Sequence, residues 1–229
     1  MYTLIIANKN YSSWSLRPWV LMRELGIDFE ELLIPFGEPG SAELFRRHSP
    51  TARVPCLHDG ALRIWDSLAI VEYLAERHGG VWPLDATARA WARSAAAEMH
   101  SGYQALRNQC SMSCGQRVEL RERTPTLESD LARLRELWAE GLARFGGPYL
   151  AGSKFCAVDA FFAPVAFRLQ TYGIALGADC DAYATRLRAL PAMQDWYAAA
   201  LREPWRDLPH EDDVRLMAAS VIDLRQPVR

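Results

Sequence analysis

Asn10-Tyr11-Ser12-Ser13-Trp14-Ser15-Leu16-Arg17-Pro18-Trp19 follows a short apolar run and opens a helical pattern. Backbone N–H groups at a helix start lack intrahelical partners, and the helix dipole places partial positive charge there. A negative group near Ser12 or Ser13 is therefore favoured, and the serine hydroxyls add further donors. Serine is also a preferred N-cap residue, so Ser12, Ser13 and Ser15 taken alone read equally well as plain caps. The pattern on either side decides between the two.

Tyr2 to Ala7 is apolar and reads as a buried strand. The helix after the serines carries Leu16, Trp19, Val20 and Met22 to Leu25 and closes at Gly26. Phe29 to Ile34 forms a second strand, which completes a βαβ unit with a parallel pair. Gly37 to Pro50 is a loop with a helical turn over Ala42 to Arg47. Arg53 to Gly60 and Leu62 to Trp65 then read as two short strands around an Asp59-Gly60 turn. Pro55 at a strand start marks an edge or a special peptide bond. Asp66-Ser67 opens a helix over Leu68 to Arg77, ended by Gly79.

That order is the order of a thioredoxin-like domain. Such domains place C-x-x-C at the first strand–helix junction, where Ser12-x-x-Ser15 stands here, so no dithiol chemistry starts from this segment. A sulfur nucleophile must arrive with a ligand. Downstream, Ala86 to Cys114, Leu127 to Phe145, Val158 to Tyr172, Ala182 to Leu190 and Ala192 to Arg202 read as helices, and no strand pattern is evident. The expected organisation is a thioredoxin-like domain over 1–79, a linker over 80–85 and an all-α domain over 86–229. His210-Glu211-Asp212-Asp213 reads as a solvated turn before a C-terminal tail.

A chain of 229 residues, half of them hydrophobic, is large enough for two cores. Its net charge of −2 gives no basic footprint for nucleic acid or an anionic membrane. Five cysteines without a signal-peptide pattern point to a reducing, cytoplasmic setting. Cys110 and Cys114 read as helical neighbours, and no set of residues has zinc-ligand spacing, so no metal is expected.

With Ser-Ser-Trp-Ser-Leu-Arg at 12–17, Arg53-Val54-Pro55 and Asp66-Ser67-Leu68-Ala69-Ile70 in this order, the chain resembles a cytosolic glutathione S-transferase. It is most similar to the bacterial, serine-type branch near the zeta class. The resemblance implies that fold, a thioredoxin-like glutathione-binding domain followed by an α-helical bundle. It also implies a cytoplasmic homodimer with a detoxification role and glutathione as co-substrate. Ser12 would stabilise the glutathione thiolate, with Ser13 the nearest substitute and Trp14 beside them. Val54 would pair with the cysteinyl part of glutathione as an added strand, with Pro55 in the cis form. Asp66 would face the γ-glutamyl ammonium and Ser67 its carboxylate. Arg53 would meet the glycyl carboxylate, although a solvated surface arginine reads equally well. Arg17 is expected to pack or pair within its own domain.

Two positions depart from the zeta pattern. Trp14 stands where zeta isomerases carry Cys, and Thr171 where they carry a substrate-binding Arg, with Arg168 three residues earlier. Cys156-Ala157-Val158-Asp159 replaces the usual Ser/Thr-x-x-Asp capping box and predicts a weakened helix start. His100, Tyr103 and Arg107 fall at helical spacings and are expected to line a second-substrate site, although His100 and Tyr103 read equally well as core. Trp65, Trp91, Trp138 and Trp196 read as core or domain-interface packing. The expected activity is attack of the glutathione thiolate on a small electrophile. The alternatives are isomerisation or peroxide reduction by the same thiolate, or a non-catalytic interaction module.

Overall fold

The structure is a computed structural model that describes residues 1–226. Its first part runs β1 (Tyr2–Ile6), α1 (Ser13–Glu24), β2 (Phe29–Leu33), α2 (Ser41–His48), β3 (Cys56–Asp59), β4 (Leu62–Trp65) and α3 (Ser67–Ala75). The four strands form one sheet in the order β2-β1-β3-β4. β1 lies parallel to β2, with Tyr2 opposite Phe29, and antiparallel to β3, with Ile5 opposite Cys56. The β3–β4 hairpin turns through Gly60, whose φ of 56° suits a residue without Cβ. Gly26, at φ 64°, follows α1 in the same way.

The second part begins with α4 (Ala86–Ser101) and α5 (Gln104–Gln109). It continues with β5 (Gln116–Leu120), α6 (Pro125–Phe145), α7 (Ala157–Thr171), α8 (Ala178–Arg188), α9 (Pro191–Arg202), α10 (Leu208–Met217) and β6 (Ala218–Asp223). α7 is buried along almost its whole length, as an all-round apolar helix must be. It packs against α1 on one side and against α4 and α8 on others, which joins the two parts through one core. The Cys156 start of α7 is supported from inside the helix. The Asp159 carboxylate accepts the Cys156 N–H at 3.0 Å, the Leu150 N–H at 3.1 Å and the Tyr183 hydroxyl at 2.9 Å.

Four sequence expectations change. The helix expected over Ala86 to Cys114 breaks at Gly102-Tyr103, where Tyr103 has φ 58°. A Cβ on Gly102 would stand 2.8 Å from the Glu98 carbonyl, so the chain crosses the helix end at a position only glycine fits. Cys110 and Cys114 lie beyond α5 and are not helical neighbours. The second part is not all-α, because β5 and β6 pair antiparallel with Val118 opposite Val221. His210 to Asp213 sit inside α10, not in a turn. That helix starts from Asp207, whose carboxylate accepts the His210 N–H at 3.4 Å, and it carries a proline in its first turn.

Candidate functional site

The loop between β1 and α1 is folded on itself and clamped from the second part. The Asn8 carbonyl accepts the N–H groups of Tyr11 at 3.2 Å and Ser12 at 2.9 Å, and the Tyr11 carbonyl accepts the Ser13 N–H at 2.9 Å. The donors of Ser12 and Ser13 are therefore already used, contrary to the expectation of open N–H groups at those two residues. The Ser12 hydroxyl donates to Ser15 Oγ at 2.7 Å, and Ser15 Oγ accepts the Ala7 N–H at 3.3 Å. From α9, the Trp196 indole donates to the Lys9 carbonyl at 2.8 Å. The Glu203 carboxylate accepts the Lys9 N–H at 2.5 Å and the Asn10 N–H at 3.2 Å. Burial pushes the Glu203 carboxyl up to about 7, against the opposing pull of those two N–H groups.

Two cavities flank this loop. The first, of about 560 Å³, is built from the N-terminal part alone: Trp14, Thr51, Arg53, Val54, Pro55, Trp65, Asp66 and Ser67. The Val54–Pro55 bond is cis. Strand pairing starts at Cys56, which leaves the Val54 backbone outside the ladder. Ser67, fully buried at the start of α3, accepts a hydrogen bond from Arg17 Nη1 at 3.3 Å. Asp66, at φ 72°, caps α3 by accepting the Leu68 N–H at 2.8 Å. Its other oxygen stands 3.5 Å from His100 Nε2. The cleft therefore presents a helix N-terminus, a hydroxyl, a half-exposed carboxylate and a free strand edge.

The second cavity, of about 480 Å³, shares the wall Trp14, Arg53 and Val54 with the first. Ser12, Ser13, Arg107, Arg168, Met112 and His210 line the rest with Tyr11, Phe36 and Phe45 among others. His210 stacks between Tyr11 and Phe36, with ring centroids 5.1 and 5.3 Å away, and its Nδ1 lies 2.5 Å from the Asp207 carboxylate. The Tyr11 hydroxyl donates to Glu211 and accepts from Arg225 Nη1 at 2.7 Å. Arg225 also pairs with Glu211 at 2.7 Å. Burial, reinforced by the Glu211 hydrogen bond, pushes the Tyr11 phenol up to about 12.

The site residues expected from the sequence divide along this geometry. Ser12, Ser13, Trp14, Arg53, Val54, Pro55, Asp66 and Ser67 do surround the two adjoining cavities. Of the three expected second-substrate residues, only Arg107 lines the second cavity. His100 is turned toward Asp66 and the edge of Trp14, whose ring centroid is 5.3 Å away. Tyr103 is core, its hydroxyl donating to Glu98 at 3.0 Å. The helix break at Gly102-Tyr103 separates these side chains. Arg17 pairs and packs within its own domain as expected, with Ser67 and 4.1 Å from the Trp14 ring, and it also reaches the second part, 4.8 Å from the ring of Phe161 in α7. Trp65 is 46% exposed and lines the cleft, whereas Trp138 and Trp196 are buried as expected. Tyr11, Phe36, Met112, Arg168, His210 and Arg225 were not anticipated. For Arg168 a signal existed, since it and Asp159 are the only charged residues in α7.

Comparison with known proteins agrees with this architecture. Residues 11–77 match the family described as glutathione S-transferase, N-terminal domain. The chain is 28% identical over 162 residues to the glutathione S-transferase-like protein OpS6 of Beauveria bassiana, covering 64% of this chain and 72% of that one. It is also 28% identical over 158 residues to a zeta class glutathione S-transferase of Euphorbia esula, covering 67% and 70%. Among solved structures it is similar to the theta class glutathione S-transferase of Xanthomonas axonopodis pv. citri with glutathione bound. The TM-score there is 0.64 and the identity 25%, covering 86% of this chain and 96% of that one. Residues 11–77 thus match a glutathione S-transferase N-terminal domain, in a chain whose architecture is the glutathione S-transferase fold.

Proposed function

We propose that the chain is a glutathione transferase, cytoplasmic and homodimeric, of the serine type and similar to the zeta class, that attaches glutathione to electrophilic small molecules as a detoxification reaction. The observation that carries this is the wall shared by the two cavities. Trp14, Arg53 and Val54 border both, so a ligand seated in the first can project a group past them toward Ser12 in the second. Glutathione fits the first cavity by type of group. Its γ-glutamyl end would meet Asp66, Ser67 and the start of α3, its cysteinyl backbone the free edge at Val54, and its glycyl carboxylate Arg53.

The chemistry asked of Ser12 is modest. Lowering a thiol pKa by about two units requires roughly 2.7 kcal/mol, and one hydrogen bond to a charged group supplies about 1.5–3 kcal/mol. Because the N–H groups of Ser12 and Ser13 are spent, the hydroxyl carries most of this. Ser15 is placed to help. With the thiolate bound, Ser15 would turn its own hydroxyl proton toward Ser12 Oγ, freeing the Ser12 proton for sulfur. The thiol proton leaves to solvent. Sulfur then forms a bond to the electrophilic carbon with its own electron pair, and the leaving group departs with the pair of the bond that breaks.

Calorimetry with glutathione, followed by the thiolate absorbance of the bound ligand against pH, tests this directly. The expected result is binding with a thiol pKa well below the ordinary value of about 8.5. Replacing Ser12 by Ala should leave the fold intact and cut turnover by about tenfold to a hundredfold near pH 6.5. The deficit should shrink as pH rises and the thiol ionises unaided. Equal turnover by Ser12→Ala and wild type across pH 6 to 9 would show that Ser12 does not hold the thiolate.

A further inference from the structure

We propose that the second cavity takes an electrophile that carries a carboxylate on a flat apolar body, with Arg168 and Arg107 as the residues that bind the carboxylate. This names the acceptor class of the transferase reading above and rests on it.

The observation is a group of arginines in the interior without a counter-charge. Arg168 is 5% exposed and lines the cavity. One guanidinium nitrogen donates to the carbonyls of Cys110 and, at 3.5 Å, Arg107, and another to Ser13 Oγ at 3.4 Å. Its Nε has no partner. Arg107, on the same wall, donates to the carbonyls of Gly102 at 2.9 Å and Met99, and lies 4.9 Å from the Trp14 ring. Arg17, fully buried with its guanidinium 4.1 Å from the same ring, leaves Nε and Nη2 without partners. Among the described residues, none of the three is paired with a carboxylate. The two acids that face them are committed elsewhere, Asp66 to Leu68 and His100, and Asp130 to the Leu106 N–H at 2.9 Å.

The three cations also act on one another. Burial, reinforced by Arg168, holds the Arg107 guanidinium down at about 10. Arg17 is depressed by burial and by both of the others, and Arg168 by burial. A buried cation held only by neutral carbonyls and a hydroxyl remains underpaid in charge, and an entering anion restores the balance. Guanidinium matches the flat geometry of a carboxylate. Beside the polar lining of Ser111, Arg53 and His210, the apolar walls include Trp14, Phe36, Phe45 and Met112, which suit an aromatic or otherwise flat apolar body.

This anion site is separate from the one proposed for the glycyl carboxylate of glutathione. Arg53 borders both cavities, whereas Arg107 and Arg168 border only the second. An electrophile held there would place its reactive carbon between the arginines and Ser12.

A matched pair of conjugates tests the assignment without depending on turnover. Thiolate displacement of chloride from 4-chloro-3,5-dinitrobenzoate forms the carbon–sulfur bond, the chloride leaving with its electron pair, and gives S-(4-carboxy-2,6-dinitrophenyl)glutathione. The corresponding carboxamide gives a conjugate of the same shape whose aryl group carries no charge. Calorimetric titration of wild type with both conjugates and with plain glutathione should find the carboxylate conjugate at least about tenfold tighter than the carboxamide, the effect of one charge-assisted hydrogen bond. Arg168→Met and Arg107→Gln should each bring that ratio toward one, and Arg168→Lys should restore part of it. A ratio near one in wild type, with glutathione bound, overturns this proposal and leaves the transferase reading standing. A ratio unchanged in both Arg168→Met and Arg107→Gln overturns it as well. Failure of glutathione and both conjugates to bind overturns the transferase reading, and this proposal with it. Should Arg168→Met not fold, as judged by circular dichroism, the wild-type ratio and Arg107→Gln still decide.

Discussion

The two cavities meet at Trp14, Arg53 and Val54 and are assembled in opposite ways. The first is made of residues that lie within one domain and close to the ends of its own strands and helices: Val54-Pro55 just before β3, and Asp66-Ser67 at the start of α3. The second draws Tyr11 and Ser12 from the first loop, Phe36 from the loop after β2, Arg107 from α5, Arg168 from α7 and His210 from α10. One is a property of a supersecondary unit and the other of the whole fold. The first should therefore hold its shape when the helical part is disturbed, and the second should not.

The largest effect is expected from Arg225→Ala. Arg225 is 6% exposed, pairs with Glu211 and Asp223 at 2.7 Å each and reaches the Tyr11 hydroxyl. It packs so closely over Gly115 that a Cβ there would stand 2.3 Å from its side chain. Removing it strands the Glu211 carboxylate, which is 5% exposed, beside Tyr11 and Gln116. Breaking a buried pair from one side costs about 3–5 kcal/mol, a fall in Tm of roughly 10 °C for a chain this long. Because α10 also carries His210, the KM for the electrophile should rise more than the KM for glutathione. Equal rises would mean that the two cavities are one mechanical unit.

Ser67→Ala strikes the other side of the comparison. It removes the acceptor of Arg17 Nη1 and, on the proposed reading, a donor to the γ-glutamyl carboxylate. One hydrogen bond to a charged group corresponds to about 1.5–3 kcal/mol, so glutathione should bind about tenfold to a hundredfold more weakly by calorimetry. The preference for the carboxylate conjugate over the carboxamide should survive. A lost preference would show that Arg17, packed on Trp14, transmits the change from one cavity to the other.

The same contrast explains what the sequence revealed. Strand and helix patterns are local, so β1 to α3 and the residues at their ends were legible, and with them nearly all of the first cavity. The β5–β6 ribbon was not, because Gln116 to Leu120 is short and its partner lies about a hundred residues downstream, where only folding brings it alongside. Arg168 was visible as a charge in an apolar helix, but nothing in the pattern said that its neighbour would be Ser13 rather than a carboxylate. His100, Tyr103 and Arg107 were grouped on the assumption of one unbroken helix. The positive φ of Tyr103, uncommon for any residue other than glycine, undid that grouping.

Tyr103→Phe provides the smallest and most discriminating test. If Tyr103 lined the acceptor site, loss of its hydroxyl would alter the KM or the pH profile for the electrophile. In the structure it is 6% exposed, and its hydroxyl serves Glu98, which Arg133 also holds through two hydrogen bonds at 2.8 and 2.9 Å. Glu98 therefore stays paired when the phenol is gone. A hydrogen bond to a charged group is worth about 1.5–3 kcal/mol, and because Arg133 keeps Glu98 satisfied the expected cost lies at or below the lower end of that range, read as a small decrease in the urea midpoint with no change in slope. Turnover constants for the carboxylate and carboxamide acceptors should both match wild type. A selective loss with either acceptor would place Tyr103 back at the second cavity and require the α4–α5 break to lie differently when ligand is bound.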